Sequence, residues 1–165
     1  MDRSSDSGLT LDAVDRRMVT ELVGDGRLSI RALAERAHIS RASAYSRLDR
    51  LVESGVITGF SARVDPVRAG LATSAYVALS VEQDAWREIS SRVAAVRYVE
   101  HVSLVAAEFD VLVLVRAPDN ETLRVVVLTE LQSIPGVRST RTWLVFADSP
   151  GPGAWVDDPT HPPDR

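Results

Sequence analysis

The chain has 165 residues, 45% of them apolar, a formal net charge of −4 and no cysteine. That is enough apolar chain for one large core or two small ones, and the missing cysteines exclude disulfides and thiolate metal sites. The polar start MDRSSDSG and the lack of any apolar run approaching about 18 residues argue against a signal peptide or membrane span, so a soluble, cytoplasmic chain is expected.

After a flexible start over 1–9, three helices are predicted within 10–64. Leu11, Val14, Met18, Leu22 and Val23 recur at helical spacing, with Asp12 as N-cap and Asp15 three residues on as a weak capping box. Asp25-Gly26 closes this helix. Ser29 caps a second, whose inward residues are Leu33, Ala34 and Ala37. A break at Ala37-His38-Ile39 leads to Ser40, the cap of a third helix with Ala44, Leu48 and Leu51 on one stripe. At about 100° per residue, Ala42, Ser43, Ser46, Asp49, Arg50 and Glu53 fall opposite that stripe, flanked by Arg41, Tyr45 and Arg47.

Two helices about a tight turn, the second with a small, polar and basic outer face, form a helix-turn-helix pattern. Small residues let backbone into the major groove, hydroxyls and arginines reach base edges, and flanking arginines hold phosphates. Ser40, Arg41, Ala42, Ser43, Tyr45, Ser46, Arg47 and Arg50 are therefore the candidate DNA contacts. A plain helical hairpin would show the same periodicity, but the surroundings favour the DNA reader. Gly55 stops the third helix, and 56–64, VITGFSARV, is a β-rich run of the kind a wing would need. Charge is distributed to match: residues 9–64 carry +2, whereas 65–165 carry −5. All nineteen basic residues are arginine, a bias that assigns no site.

The segment 65–73 is a Pro/Gly-punctuated hinge. Beyond it, strands are expected over 74–82, 98–106, 110–117 and 137–146, with helices over 84–96 (Trp86, Ile89 and Val93 inward) and after Asp119 or Asn120 (Leu123, Val127, Leu128 and Leu131 inward). The order βαββαβ over 74–147 makes a ferredoxin-like antiparallel sheet with both helices on one face, an α+β fold overall. Val111, Val113 and Val115 alternate with Leu112 and Leu114, so both sheet faces are apolar, and a second copy of the chain is the expected cover for the open one. The proline-rich 148–165 is expected to be a disordered tail.

The stretch from Leu11 to Leu71 resembles the N-terminal module of the Lrp/AsnC (leucine-responsive/asparagine) transcription regulators, in Leu11-Asp12, Asp15, Asp25-Gly26-Arg27, Leu33-Ala34, Ile39-Ser40, Arg47, Leu51, Gly55-Val56-Ile57, Asp65-Pro66 and Gly70-Leu71. His38 departs from it, standing where the family usually has glycine. The resemblance implies a homo-oligomeric, sequence-specific regulator of double-stranded DNA, nucleoid-associated, dimeric and often assembled to a tetramer or octamer, with a second domain that binds an amino acid or small metabolite. The family's hairpin motif corresponds to Ala107-Glu108-Phe109-Asp110, with alanine for the usual glycine. Ala107, Glu108, Asp110, Thr140 and Thr142 are the candidate effector residues; read structurally, they are ordinary turn and strand residues. Two alternatives stand beside this: an architectural nucleoid-type DNA-binding protein without a ligand, and a relative of the sirohaem decarboxylases that would rest on His101. No triad, metal cluster, phosphate loop or dinucleotide fingerprint occurs, so no catalytic residue, metal or cofactor is assigned.

Overall fold

A computed structural model describes residues 10–82, 86–149 and 151. The flexible start expected over 1–9, the helix start expected at Asp84 and the tail expected beyond 151 lie outside the described residues. Residues up to Ala62 form one compact unit and Arg63–Ser149 a second.

The first unit holds α1 (Ala13–Gly24), α2 (Ile30–Ala37) and α3 (Arg41–Glu53). Each begins on a side-chain cap that satisfies a free amide of the first turn. The Asp12 carboxylate accepts from the Asp15 amide at 2.8 Å while Asp15 accepts from the Asp12 amide at 3.2 Å, a complete capping box. Ser29 accepts from the Ala32 amide and Ser40 from the Ser43 amide, both at 3.2 Å. Met18, Val19, Leu22, Leu33, Ala34, Ala37, Ala44 and Leu51 form the core, with Leu11, Val14, Leu48, Val56 and Ile57 packed around it. Val23, expected inward, is exposed. His38 ends α2 in the left-handed conformation, φ 56° and ψ 44°, so its amide can reach back to Ala34 and Glu35 carbonyls. A residue with a Cβ thus occupies a backbone state that favours glycine.

The run 56–64, expected as strand, forms none. Val56 and Ile57 are drawn onto the helical core, the Ile57 amide bonding the Leu51 carbonyl at 2.9 Å, and the rest is exposed with no neighbouring strand to pair with, so β propensity alone is not enough.

In the second unit the sheet order is β2-β3-β1-β4, antiparallel throughout, with β1 (Thr73–Val81), β2 (Val99–Leu104), β3 (Val111–Ala117) and β4 (Val137–Val145). Helix α4 (Trp86–Ala94), helix α5 (Asn120–Val125) and a π-helical continuation (Val126–Leu131) cover one face. Asp119 caps α5, and the Thr122 amide holds its carboxyl below the ordinary value. Ala75, Val77, Leu79, Val111, Val113 and Val115 meet Ile89, Val93, Leu123, Val126, Val127 and Leu131 in a single core.

Two inward assignments fail. Trp86 is exposed at the first turn of α4, its ring under the Arg87 guanidinium at 4.8 Å. Leu128 is 52% exposed and Val126 is buried in its stead. The π segment explains this: the Gln132 amide bonds Val127, five residues back, and the wider turn rotates the stripe away from ordinary helical spacing.

The opposite face carries Tyr76, Ala78, Leu112, Leu114, His101, Ser103, Arg141 and Trp143, placed there by direct cross-strand pairing. No element of the unit covers it. Arg116, at its border, donates to Glu100, to Ser74 Oγ at 3.1 Å and to Asp148 at 2.8 Å. Asp148, expected in the disordered tail, is therefore held. Glu100 reaches Arg116 from an irregularity in β2, between Val99 and His101.

Candidate nucleic-acid interface

Capping by Ser40 and burial of Ala44 and Leu51 determine which side of α3 faces solvent. Arg41, Ala42, Tyr45, Ser46, Asp49 and Arg50 are exposed, and Ser43, Arg47 and Leu48 are half-buried. From Arg41 to Leu48 there is no acidic residue. Ser40 to Ser46 thus present small side chains, hydroxyls, a phenol and one arginine, Arg41, that has no acidic partner among the described residues. Such a surface can approach a groove without steric or electrostatic obstruction.

Arg47 and Arg50 stand differently. The sequence puts Arg50 on the outer face and Arg47 on its flank as free donors; the structure ties both to α1. Arg47 Nη1 donates to Asp12 Oδ2 at 2.6 Å and to Asp15 Oδ1 at 2.8 Å. Arg50 Nη2 donates to both Asp15 oxygens, at 2.9 and 2.8 Å. Asp15 is only 1% exposed, the one buried charged residue among those described. A carboxylate taken out of water needs charged partners, and the two arginines supply them. This role was missed from sequence, yet a signal existed: Asp15 lies three residues before Met18 and seven before Leu22, on the buried stripe of α1.

The Asp15 amide and then the Arg47 guanidinium hold the Asp12 carboxyl below its ordinary 3.8, and Asp12 in turn leads the groups that raise Arg47. Because the folded value of Asp12 is the lower one, its contribution to stability is present above the ordinary value and is lost as pH falls through the folded value. The other ion pairs of the unit, Arg31 with Glu35 and Arg36 with Glu21, are solvent-exposed and worth little.

In the second unit the five effector candidates do not converge. Asp110 Oδ2 accepts from the Val81 amide at 2.8 Å, where β1 changes register against β4, and the Asp110 amide donates to Leu79. Its carboxylate therefore closes the end of β1. Thr140 pairs across from Leu79 and Thr142 from Val77, so both sit on the helix-side face. Glu108 lies toward the other face, 3.8 Å from Arg141, whose guanidinium covers the Phe109 ring at 5.0 Å. Phe109 in turn meets Trp143 edge-on at 5.9 Å. Ala107 and Glu108 are exposed. Phe109, Arg141 and Trp143 were not singled out from sequence; their shared face follows only from the register.

His101 is exposed on β2 opposite Leu114. Among the described residues no group of three His, Asp or Glu could hold a metal ion, and no helix is long and apolar enough to cross a membrane.

Comparison with known proteins matches residues 11–58 to a winged helix-turn-helix DNA-binding family model and 74–149 to the Lrp/AsnC ligand binding domain. The transcriptional regulator AldR of Mycobacterium tuberculosis is 36% identical over 139 residues, covering 82% of this chain and 78% of its own. The leucine response regulatory protein LrpA of the same organism superposes with a TM-score of 0.77 at 31% identity, covering 87% and 97% of the two chains. A transcriptional regulator from Neisseria meningitidis, solved as a complex with L-Met, gives 0.79 at 25% identity, covering 86% and 94%.

Arg50→Ala leaves Asp15 with Arg47 alone. The expected loss of stability is about 1–3 kcal/mol, since one partner of a buried charge is removed while another remains. Urea denaturation of the variant measures it, and an unchanged midpoint would contradict the structural role of Arg50.

Proposed function

The chain belongs to the Lrp/AsnC family of DNA-binding transcription regulators, and on that footing we propose that α3 reads duplex DNA through Ser40, Arg41, Ala42, Ser43, Tyr45 and Ser46, with Arg47 and Arg50 contributing the donors that Asp12 and Asp15 leave unused. The observation that carries this is the exposed, acid-free half of α3. The enzyme alternative is set aside on the family match. The division of labour follows the chain: 10–64 for DNA, 65–73 as hinge, 74–147 for assembly and ligand.

The open sheet face supports a homodimer. Tyr76, Leu112, Leu114 and Trp143 form a continuous apolar surface on strands held flat by the helices behind them. A second copy supplies cover of matching shape, and two linked DNA modules bind two half-sites with the gain of effective concentration.

An α-amino acid is the ligand class proposed for the second unit, supported by the L-Met complex of the Neisseria relative. Of the residues singled out in the hairpin, Glu108 has the exposed carboxylate free to accept from an ammonium group; Asp110 is engaged with backbone.

Three measurements test these readings. Arg41→Ala should weaken binding to a duplex selected from a randomised library by about 1–3 kcal/mol with the melting temperature unchanged, and full affinity would put the interface elsewhere. Leu114→Glu should give a folded monomer by light scattering with DNA affinity reduced at least tenfold, about the 1.4 kcal/mol that separates decades; a dimer that survives the charge would remove the sheet face from assembly. A thermal-shift screen of the twenty amino acids should find one that raises the melting temperature of the unaltered chain and not of Glu108→Gln. No shift with any of them at millimolar concentration would contradict an amino-acid ligand.

A further inference from the structure

The Asp12, Asp15, Arg47 and Arg50 cluster is more economical than folding requires. Arg47 gives a single nitrogen, Nη1, to both carboxylates, and Arg50 gives a single nitrogen, Nη2, to both oxygens of Asp15. Neither arginine has another hydrogen-bond partner among the described residues. Nε and the remaining terminal nitrogen of each guanidinium are left undonated. Asp15 is buried, whereas the side chains of Arg47 and Arg50 keep 27% and 47% of their exposure. The carboxylate therefore grips each arginine from within, and the spare donors belong to the part that still meets water.

We propose that Asp15 is a positioning residue for DNA recognition: it anchors Arg47 and Arg50 of α3 so that their unused donors form a preoriented pair for DNA phosphate or guanine oxygens. This rests on the reading of α3 as the DNA-contacting helix and adds a residue on another helix that touches no DNA itself. A free arginine must lose rotamer freedom when it binds; one whose guanidinium plane is already held by a carboxylate has lost it on folding, and its fork meets the duplex in one orientation. The same carboxylates also neutralise charge. Two Asp and two Arg sum to zero, so the cluster adds directed donors without adding long-range attraction for every phosphate backbone. Both effects raise the ratio of specific to non-specific affinity.

The experiment compares affinities of the intact chain for a duplex selected from a randomised library and for random-sequence duplex of the same length. Asp15→Asn keeps the side-chain shape, removes the charge and turns one acceptor into a donor facing arginine. The ratio of the two affinities should fall at least tenfold. Because one positive charge is released, the plot of log affinity for random duplex against log salt should steepen by up to about one unit. Arg50→Lys is the second variant, needed because Asp15→Asn removes a buried charge and can unfold the unit. It keeps a cation on Asp15 but loses the planar fork, so the ratio should fall with little change in melting temperature.

A purely structural Asp15 changes melting temperature and leaves the ratio in the folded protein where it was; that result in either folded variant overturns the proposal. Arg41→Ala separates this from failure of the underlying reading. If Arg41→Ala also leaves binding of the selected duplex intact, α3 is not the reader. Where Arg41→Ala weakens binding and neither Asp15→Asn nor Arg50→Lys alters the ratio, only the role of Asp15 falls.

Discussion

One buried carboxylate sets the terms for the first unit. Asp15 begins α1 as half of a capping box, faces the interior with Met18, and must be met there by cations. The cations come from α3, one turn apart, at Arg47 and Arg50. A helix that must deliver two guanidiniums to one carboxylate has little freedom to roll or slide. Apolar contacts from Ala44 and Leu51 hold α3 against the core but tolerate small rotations, because dispersion is not directional; hydrogen bonds from planar guanidiniums to fixed oxygens do not. The orientation of the exposed half of α3 thus depends on an interaction made at its opposite side.

That dependence also shows where sequence reading works and where it stops. Periodicity finds residues by the side they face, so Leu33, Ala37, Ala44 and Leu51 were legible, as were the caps Asp12, Ser29 and Ser40. The alternation of Val111, Val113 and Val115 with Leu112 and Leu114 was equally plain. What periodicity cannot find is a partner thirty-five residues away. Arg50 looks like any outward arginine until Asp15 is placed opposite it. Asp110 fails for a similar reason: a strand-start aspartate looks available to a ligand, and only the register change at the end of β1 shows that the Val81 amide needs it. Thr140 and Thr142 were grouped with Glu108 by chemistry, and the pairing with Leu79 and Val77 separates them by face.

The missing wing strand is a different kind of failure. Residues 56–64 have the composition of a strand, but a strand is a relation between two segments, and the described residues offer this one no neighbour. Its first two residues do what apolar residues do without a sheet, joining the nearest core. His38 is the converse case, a residue whose local conformation is unfavourable and is imposed by what surrounds it, since the α2 carbonyls of Ala34 and Glu35 draw its amide inward.

The π segment has a consequence for ancestry. A π turn is an α turn that has taken in an extra residue, and here the added length is absorbed between Val126 and Leu131 instead of being passed on. Leu131 and Ile134 remain in the core, and β4 enters the sheet with Trp143 opposite Tyr76 and Leu144 opposite Ala75. Had the insertion slipped into β4, the two-residue period of a strand would have exchanged its faces, turning Leu144 onto the open side and Trp143 toward the helices. A helix can store an insertion by widening; a strand can only invert. The lineage of this chain kept its outer sheet face by placing the change in the one neighbouring element able to hold it.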